Sequence, residues 1–259
     1  MSPVVTPPAN VTANTGPGAT SCGTFVSDST LGTASATDNC PGVSGVTRAG
    51  VPSGNFFPVG TTTITYSATD AHGNTGTATQ TVTVIDNTPP VISCPASITL
   101  EPTCPSGAIA TYTAPVGTDN CPGAITTRTA GGASGSVFPI GTTTVTYSVT
   151  DAHGNGPVSC SFTVTVKTVN QTIEDLKTSI MNSSLSPTKK GGLVSKLQAA
   201  QDALAVGHTS TACTKLADFI NSTQNLIDHG EISAAQGNAW ISTAAHVRNT
   251  IGCTNNPCS

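Results

Sequence analysis

The sequence predicts two all-β sandwich domains in tandem, followed by a small all-α bundle. Three observations predict it. DNCPG occurs at 38–42 and again at 119–123, and FFPVGTTTITYSATDAHGN at 56–74 recurs as VFPIGTTTVTYSVTDAHGN at 137–155, both 81 residues on. So long a period, with strand-like content in each copy, marks tandem domains rather than one large fold. Within each copy apolar residues alternate with threonine and serine, the period of a half-buried strand. After Val166 the alternation stops and apolar residues recur at helical spacing.

The first domain is expected over 1–86. Ile64, Tyr66 and Ala68 alternate with polar residues, as do Val82 and Val84, and Gly, Pro, Asn and Asp punctuate the gaps. Short strands between turn clusters indicate an antiparallel sandwich. The second domain, over 87–168, repeats the inward set as Val145, Tyr147 and Val149. Asp86-Asn87-Thr88-Pro89-Pro90 joins the two, and its prolines predict a short, stiff linker with the domains end to end. Over 169–259, Ile173, Leu176 and Ile180 share one helical face, as do Leu193, Leu197, Ala200 and Leu204. Leu216, Phe219, Ile220 and Leu226 follow, then Trp240, Ile241, Ala244 and Val247. Breaks at 184–190, 207–209 and 229–230, with Ser233 as an N-cap, divide this stretch into about four helices. None would stay folded alone.

Charged residues make up only 8% of the chain. Polarity is carried by hydroxyls, and threonine suits strands because it is β-branched. Through Val166 two basic residues, Arg48 and Arg128, stand against seven acids, so no basic patch for nucleic acid is expected. No apolar run approaches the ~18 residues of a membrane span. The N-terminal residues have neither the basic start nor the apolar core of a signal peptide, so a leader or longer N-terminal part is expected to be absent from this sequence.

Nine cysteines occur without zinc-ligand spacing. In β domains of this size they point to disulfides and an oxidising, extracellular setting. Aligned by their ends, the two copies match Cys22 and Cys40 with Cys104 and Cys121. Cys94 falls opposite Pro7 and Cys160 opposite Ala78, allowing a one-residue insertion near Gly156-Pro157. A bonded pair should be absent together, so Cys94 is assigned to Cys160. The same logic gives Cys22–Cys40 and Cys104–Cys121. Cys213 and Cys253 stand at helix ends that antiparallel neighbours bring together, and are paired. Cys258 is left over, to replace Cys253, link another chain or stay free.

DNCPG, the PxGTTTxTYxxTDxxGN run and the ISCP at 92–95 together resemble the hyalin repeat (HYR) module. That resemblance covers roughly two-thirds of the chain and implies immunoglobulin-like sandwiches of extracellular adhesion and matrix proteins. The first copy departs from it in lacking the terminal cysteine pair. The stretches 189–204, 212–226 and 230–248 resemble the FIMAH domain of secreted bacterial proteins. Together the resemblances imply a bacterial or similar microbial source and a non-catalytic role.

The best candidate site is the set of Asp-rich loops: Asp38, Asp70, Asn74, Asp86, Asp119, Asp151 and Asn155. Calcium takes such hard oxygen ligands from loops. The competing reading is turn chemistry, in which Asp and Asn bond their own backbone, and the absence of a DxDxDG loop favours it. No cofactor is required on this reading, and calcium is the one that fits. His72 and His153 read as exposed turn residues, and Trp240 as core. No GxSxG elbow, paired catalytic carboxylates or phosphate loop occurs, so no enzyme is expected.

The leading expectation is therefore a secreted or surface-displayed structural or adhesive spacer whose partner is a cell-surface or matrix protein, or a glycan. One alternative is a carbohydrate-binding accessory region of a larger hydrolase, with Phe56 and Phe57 as the loop aromatics. Another is a subunit of an extracellular filament or layer that self-assembles by strand donation.

Overall fold

The computed structural model describes residues 1–253. It has β-sandwich architecture through Val166 and four long helices after it. Two compact units partition the chain. One comprises Met1–Ser93, Pro115–Thr127 and Tyr147–Cys160; the other comprises Cys94–Ala114, Arg128–Thr146 and the chain from Ser161 onward.

In the first unit, β1 (Val4–Thr6) pairs with β4 (Ser35–Thr37), and β3 (Gly23–Phe25) with β6 (Phe56–Pro58). Between β3 and β4 runs a single turn of helix, α1 (Asp28–Leu31). The main sheet is formed by β2 (Val11–Asn14), β5 (Thr47–Ala49), β7 (Gly60–Thr69) and β8 (Thr75–Ile85), in the order β2-β8-β7-β5. β7 and β8 are an antiparallel hairpin, in register from Gly60 opposite Val84 to Thr69 opposite Thr75. Its turn is made by Asp70 to Asn74, with Gly73 at φ 85° where a side chain would be strained. The sheet is not purely antiparallel, contrary to the sequence expectation, because β2 runs parallel to β8. The rest of the repeat lies between them and supplies the long crossover a parallel pair needs.

The predicted alternation is what buries the core. Ile64, Tyr66, Val82 and Val84 close over Leu31 and Phe57. One polar group lies among them. Gln80 is fully buried opposite Ile64, donating from Nε2 to the carbonyls of Ala9 (2.6 Å) and Leu31 (3.0 Å). Its Oε1 accepts from the Tyr66 hydroxyl at 2.8 Å. Gln80 thus satisfies two buried polar groups, on Leu31 and Tyr66, and one part-buried carbonyl, on Ala9, which makes it costly to remove.

The second repeat contains β9 (Ile98–Leu100), β10 (Ala108–Ile109), β11 (Ile125–Ala130), β12 (Val137–Phe138), β13 (Gly141–Thr150) and β14 (Val158–Val166). Its sheet runs β11-β13-β14-β9, the order of the first repeat, and β9 is again parallel to β14.

The helices are α2 (Val169–Met181), α3 (Pro187–Ala205), α4 (Thr209–Asp228) and α5 (Ala234–Thr250). Thr168 opens α2 with a reciprocal capping box to Gln171, and Ser233 caps α5 by accepting from the Gln236 N–H. α3 begins at Pro187, so Pro187 to Lys190 are helical where a break was expected, and Gly191 and Gly192 continue the helix. Proline is favoured at a first helical position, and burial of Leu193 and Leu197 outweighs the ~1 kcal/mol cost of each glycine. The apolar faces meet in one core of Ile173, Leu197, Leu216, Phe219, Trp240 and Val247. Trp240 donates from its indole to Ser179 Oγ at 2.9 Å. Lys167, at the foot of α2, bridges Glu101 and Asp175 at 2.7 Å each, and Thr250 donates to the carbonyl of Pro102.

Gln80→Ala should destabilise the first unit by about 2–4 kcal/mol, because it leaves a cavity and strands the buried Leu31 carbonyl and Tyr66 hydroxyl. Denaturant unfolding of the variant measures this, and a loss under about 0.5 kcal/mol would contradict the account of the core.

Candidate functional site

Each repeat folds its two acidic loops against each other. Asp70 Oδ1 accepts from the backbone N–H groups of His72 (2.8 Å) and Asn74 (2.9 Å), and its Oδ2 from Asn74 Nδ2 (2.7 Å). Asp151 repeats this with His153 (3.0 Å) and with Asn155 N and Nδ2 (2.8 and 2.6 Å). The Asn74 amide holds the Asp70 carboxyl below its usual value of 3.8. At Asp151 burial works to raise it, and the hydrogen bonds from Asn155 and the backbone outweigh that and lower it. In the DNCPG loops, Asp38 Oδ2 accepts from Cys40 N–H and Asp119 Oδ2 from Cys121 N–H, at 3.4 and 3.0 Å. A side chain at Gly42 or Gly123 would press on Ala71 or Ala152, so the two loops of each repeat touch.

Asp86 makes the two copies differ. It follows β8 at the start of the linker, with its side chain fully buried. Oδ1 is held by Thr15 Oγ1 (2.9 Å), Thr88 N–H (3.1 Å) and Asn120 Nδ2 (3.3 Å). Oδ2 has no hydrogen-bond partner, and His153 Nδ1 lies 3.3 Å from it. Asn155 also donates to the Asp86 carbonyl at 3.1 Å. Carboxylate oxygens of Asp86, Asp119 and Asp151 all lie within 4.8 Å of one another. Two unit charges at that distance repel by about 3 kcal/mol at an effective dielectric of 20. Asp119 Oδ1 and Asn120 Oδ1 are buried without partners as well. A cavity of about 590 Å³, lined by Thr20, Thr88, Pro90, Val91 and Thr118, runs along Asp119 and Asn120.

Of the seven loop residues singled out in the sequence, Asp86, Asp119 and Asp151 converge, with Asn155 bridging the last to the linker. Asp38, Asp70 and Asn74 belong to the turns of the first repeat. Among the described residues no third carboxylate joins Asp38 and Asp70 in a cluster. His153 is more than an exposed turn residue, because it reaches Asp86. Thr15 carried no sequence signal, since its role depends on β2 lying beside β8.

The sulfur chemistry departs from expectation. Cys22 is bonded to Cys121, with Cα atoms 4.6 Å apart, and Cys40 is free and half-buried. The expected Cys22–Cys40 and Cys104–Cys121 pairs are therefore corrected. The repeat comparison assumed that each copy bonds within itself, whereas this bond joins one copy to the other. Cys94, Cys104 and Cys160 are disulfide-bonded. Cys213 is bonded to Cys253. Cys258 lies outside the described residues. The aromatic expectation is also revised: Phe57 is in the core, and Phe56 packs edge-on at 5.0 Å against Phe25, which is exposed.

The HYR domain model matches residues 1–84 and 85–166. The chain is 43% identical over 141 residues to "Hyalin" of Strongylocentrotus purpuratus, covering 53% of this chain and 12% of that protein. It is 42% identical over 142 residues to "Hyalin" of Lytechinus variegatus, covering 53% of this chain and 26% of that one. The chain thus spans between 12% and 26% of the length of these relatives. Among solved structures, Drosophila N-cadherin EC1-4 aligns over 64% of this chain and 49% of its own, at 13% identity and a TM-score of 0.35. That likeness is too slight to carry an argument.

The depressed carboxyl of Asp70 sets a sign for acid stability. Its contribution is complete above the unfolded value of 3.8 and is lost as pH falls through the lower folded value. Asn74→Ala should flatten the fall in melting temperature between about pH 4 and pH 2, as read by calorimetry. An unchanged slope would show that the Asn74 contact does not hold the Asp70 carboxylate.

Proposed function

The chain belongs to the HYR domain family over 1–84 and 85–166, and from that premise we propose that it is a non-catalytic, extracellular structural or adhesive module. The observation that carries this reading is where the repeated residues go. The repeated side chains are taken up in core alternation, in turns and in a disulfide across the copies. Asp70, His72 and Asn74 are parts of a hairpin turn rather than groups aimed at a substrate. The seven disulfide-bonded cysteines among the described residues support an oxidising setting. Among those residues no helix is long and apolar enough to cross a membrane. The partner on this reading is a cell-surface or matrix protein. The helical region is a docking element of the FIMAH type found in secreted bacterial proteins, an assignment supported by its four helices packed around one core.

A specific observation favours the carbohydrate-binding alternative enough to test it. Phe25 is 73% exposed and packs against Phe56, an arrangement that could stack on a sugar. Beads bearing the purified chain are expected to retain cells or matrix proteins saturably, at a level unchanged by Phe25→Ser. Glycan-array hits lost in that variant would replace the adhesive reading with the carbohydrate one. Turnover of an ester, peptide or glycoside by the purified chain would overturn both.

A further inference from the structure

We propose that Asp86, Asp119, Asp151 and the side-chain oxygen of Asn120 form a binding site for a single calcium ion. Among the described residues, four buried side-chain polar atoms lack a hydrogen-bond partner, and three of them are here: Asp86 Oδ2, Asp119 Oδ1 and Asn120 Oδ1. All three are acceptors. None of the three accepts a hydrogen bond, although buried polar groups are otherwise almost always satisfied, and the one cationic side chain beside them is His153, 3.3 Å from Asp86 Oδ2. The Asp86 side chain is fully buried, and its other oxygen is pinned by Thr15, Thr88 and Asn120, so Oδ2 is aimed and held. Asp119 is pinned in the same way through Oδ2 by Cys121 N–H, which leaves Oδ1 free. A cation satisfies three orphan acceptors and offsets three mutually repelling carboxylates at once. His153 offers at most one charge, from one side of Asp86.

The donor set selects the ion. The unsatisfied acceptors of the proposed site are all hard oxygens; the other candidate ligands nearby are the single nitrogen of His153 beside Asp86 and the sulfur of Cys121, which is in a disulfide and offers no thiolate. Oxygens lying within 4.8 Å of one another can surround an ion bound at about 2.3–2.6 Å. The set comes from a linker and two loops and is irregular, which calcium tolerates and magnesium, with its near-ideal octahedron, does not. The repeat supplies an internal control. Asp38 and Asp70 stand where Asp119 and Asp151 stand in the second copy, yet no third carboxylate joins them among the described residues. The stoichiometry is therefore one ion per chain.

The test is a calorimetric titration of the full chain, stripped with chelator, with calcium chloride and then magnesium chloride, paired with thermal melts. One calcium per chain is expected. Melting temperature should rise with calcium and respond far less to magnesium. Asp119→Asn should weaken binding at least tenfold, whereas Asp38→Asn should leave both affinity and stoichiometry unchanged. Asp86→Asn should abolish the calcium response and yet melt no lower than the parent protein in chelator, because it removes one of three crowded charges. A merely structural aspartate would melt lower. If Asp119→Asn fails to fold, the Asp86→Asn titration decides. No calcium heat with no melting shift, two ions per chain, or undiminished binding in the folded Asp119 or Asp86 variant would each overturn the proposal.

Discussion

The bond between Cys22 and Cys121 is the constraint on which the junction of the two repeats depends. It spans 99 residues of sequence. In the chain-entropy account, closing a loop of that length removes about 4–5 kcal/mol of freedom from the unfolded chain. Its position matters as much as its strength. Cys121 follows directly on Asp119 and Asn120, and its own N–H holds the Asp119 carboxylate. Asn120 in turn donates to Ser21 O and to Asp86 Oδ1. The sulfur bond therefore fixes a loop of the second repeat onto the end of the first, where Asp86 leaves β8. Together with the contacts of Asn120, His153 and Asn155 to Asp86, it holds three carboxylates close against their mutual repulsion.

Low charge gives that cluster its weight. A chain with 8% charged residues satisfies its polar groups through threonine, serine and backbone, as the β7–β8 hairpin and its Asp70 turn illustrate. Against that background, a buried carboxylate oxygen without a donor is an exception that calls for a ligand. The turns of the first repeat use the same residue types with every Asp70 oxygen occupied. The Asp151 turn of the second repeat is closed in the same way, and the open acceptors there are Asp86 Oδ2, Asp119 Oδ1 and Asn120 Oδ1. The difference comes from Asp86 rather than from the motif.

Much of the fold could be read from the residues because periodicity is a local property. Ile64, Tyr66, Val82 and Val84 alternate because one face of each strand is buried, and Trp240 falls at helical spacing with Ala244 and Val247 because it is core. What could not be read depended on relations between the copies. Cys22 and Cys40 align with Cys104 and Cys121 whether the bonds run within each copy or across them, so the alignment carried no information on that choice. The role of Asn120 Oδ1 and the reach of His153 to Asp86 likewise exist only once the linker is folded against the second repeat's loops. The break expected through Lys190 failed for a different reason. Proline stops a helix from within but is favoured at its first position, and Pro187 opens α3 rather than lying in a gap.

The most direct test of this account is disulfide mapping of the native, unreduced protein after alkylation of free thiols. Cleavage at aspartate puts Cys22, Cys40 and Cys121 on different fragments, because Asp28, Asp38, Asp70 and Asp119 lie between or beside them. The account predicts a linked pair of fragments carrying Cys22 and Cys121, with the alkyl label on Cys40. A Cys22–Cys40 link, with Cys121 bonded elsewhere, would contradict it.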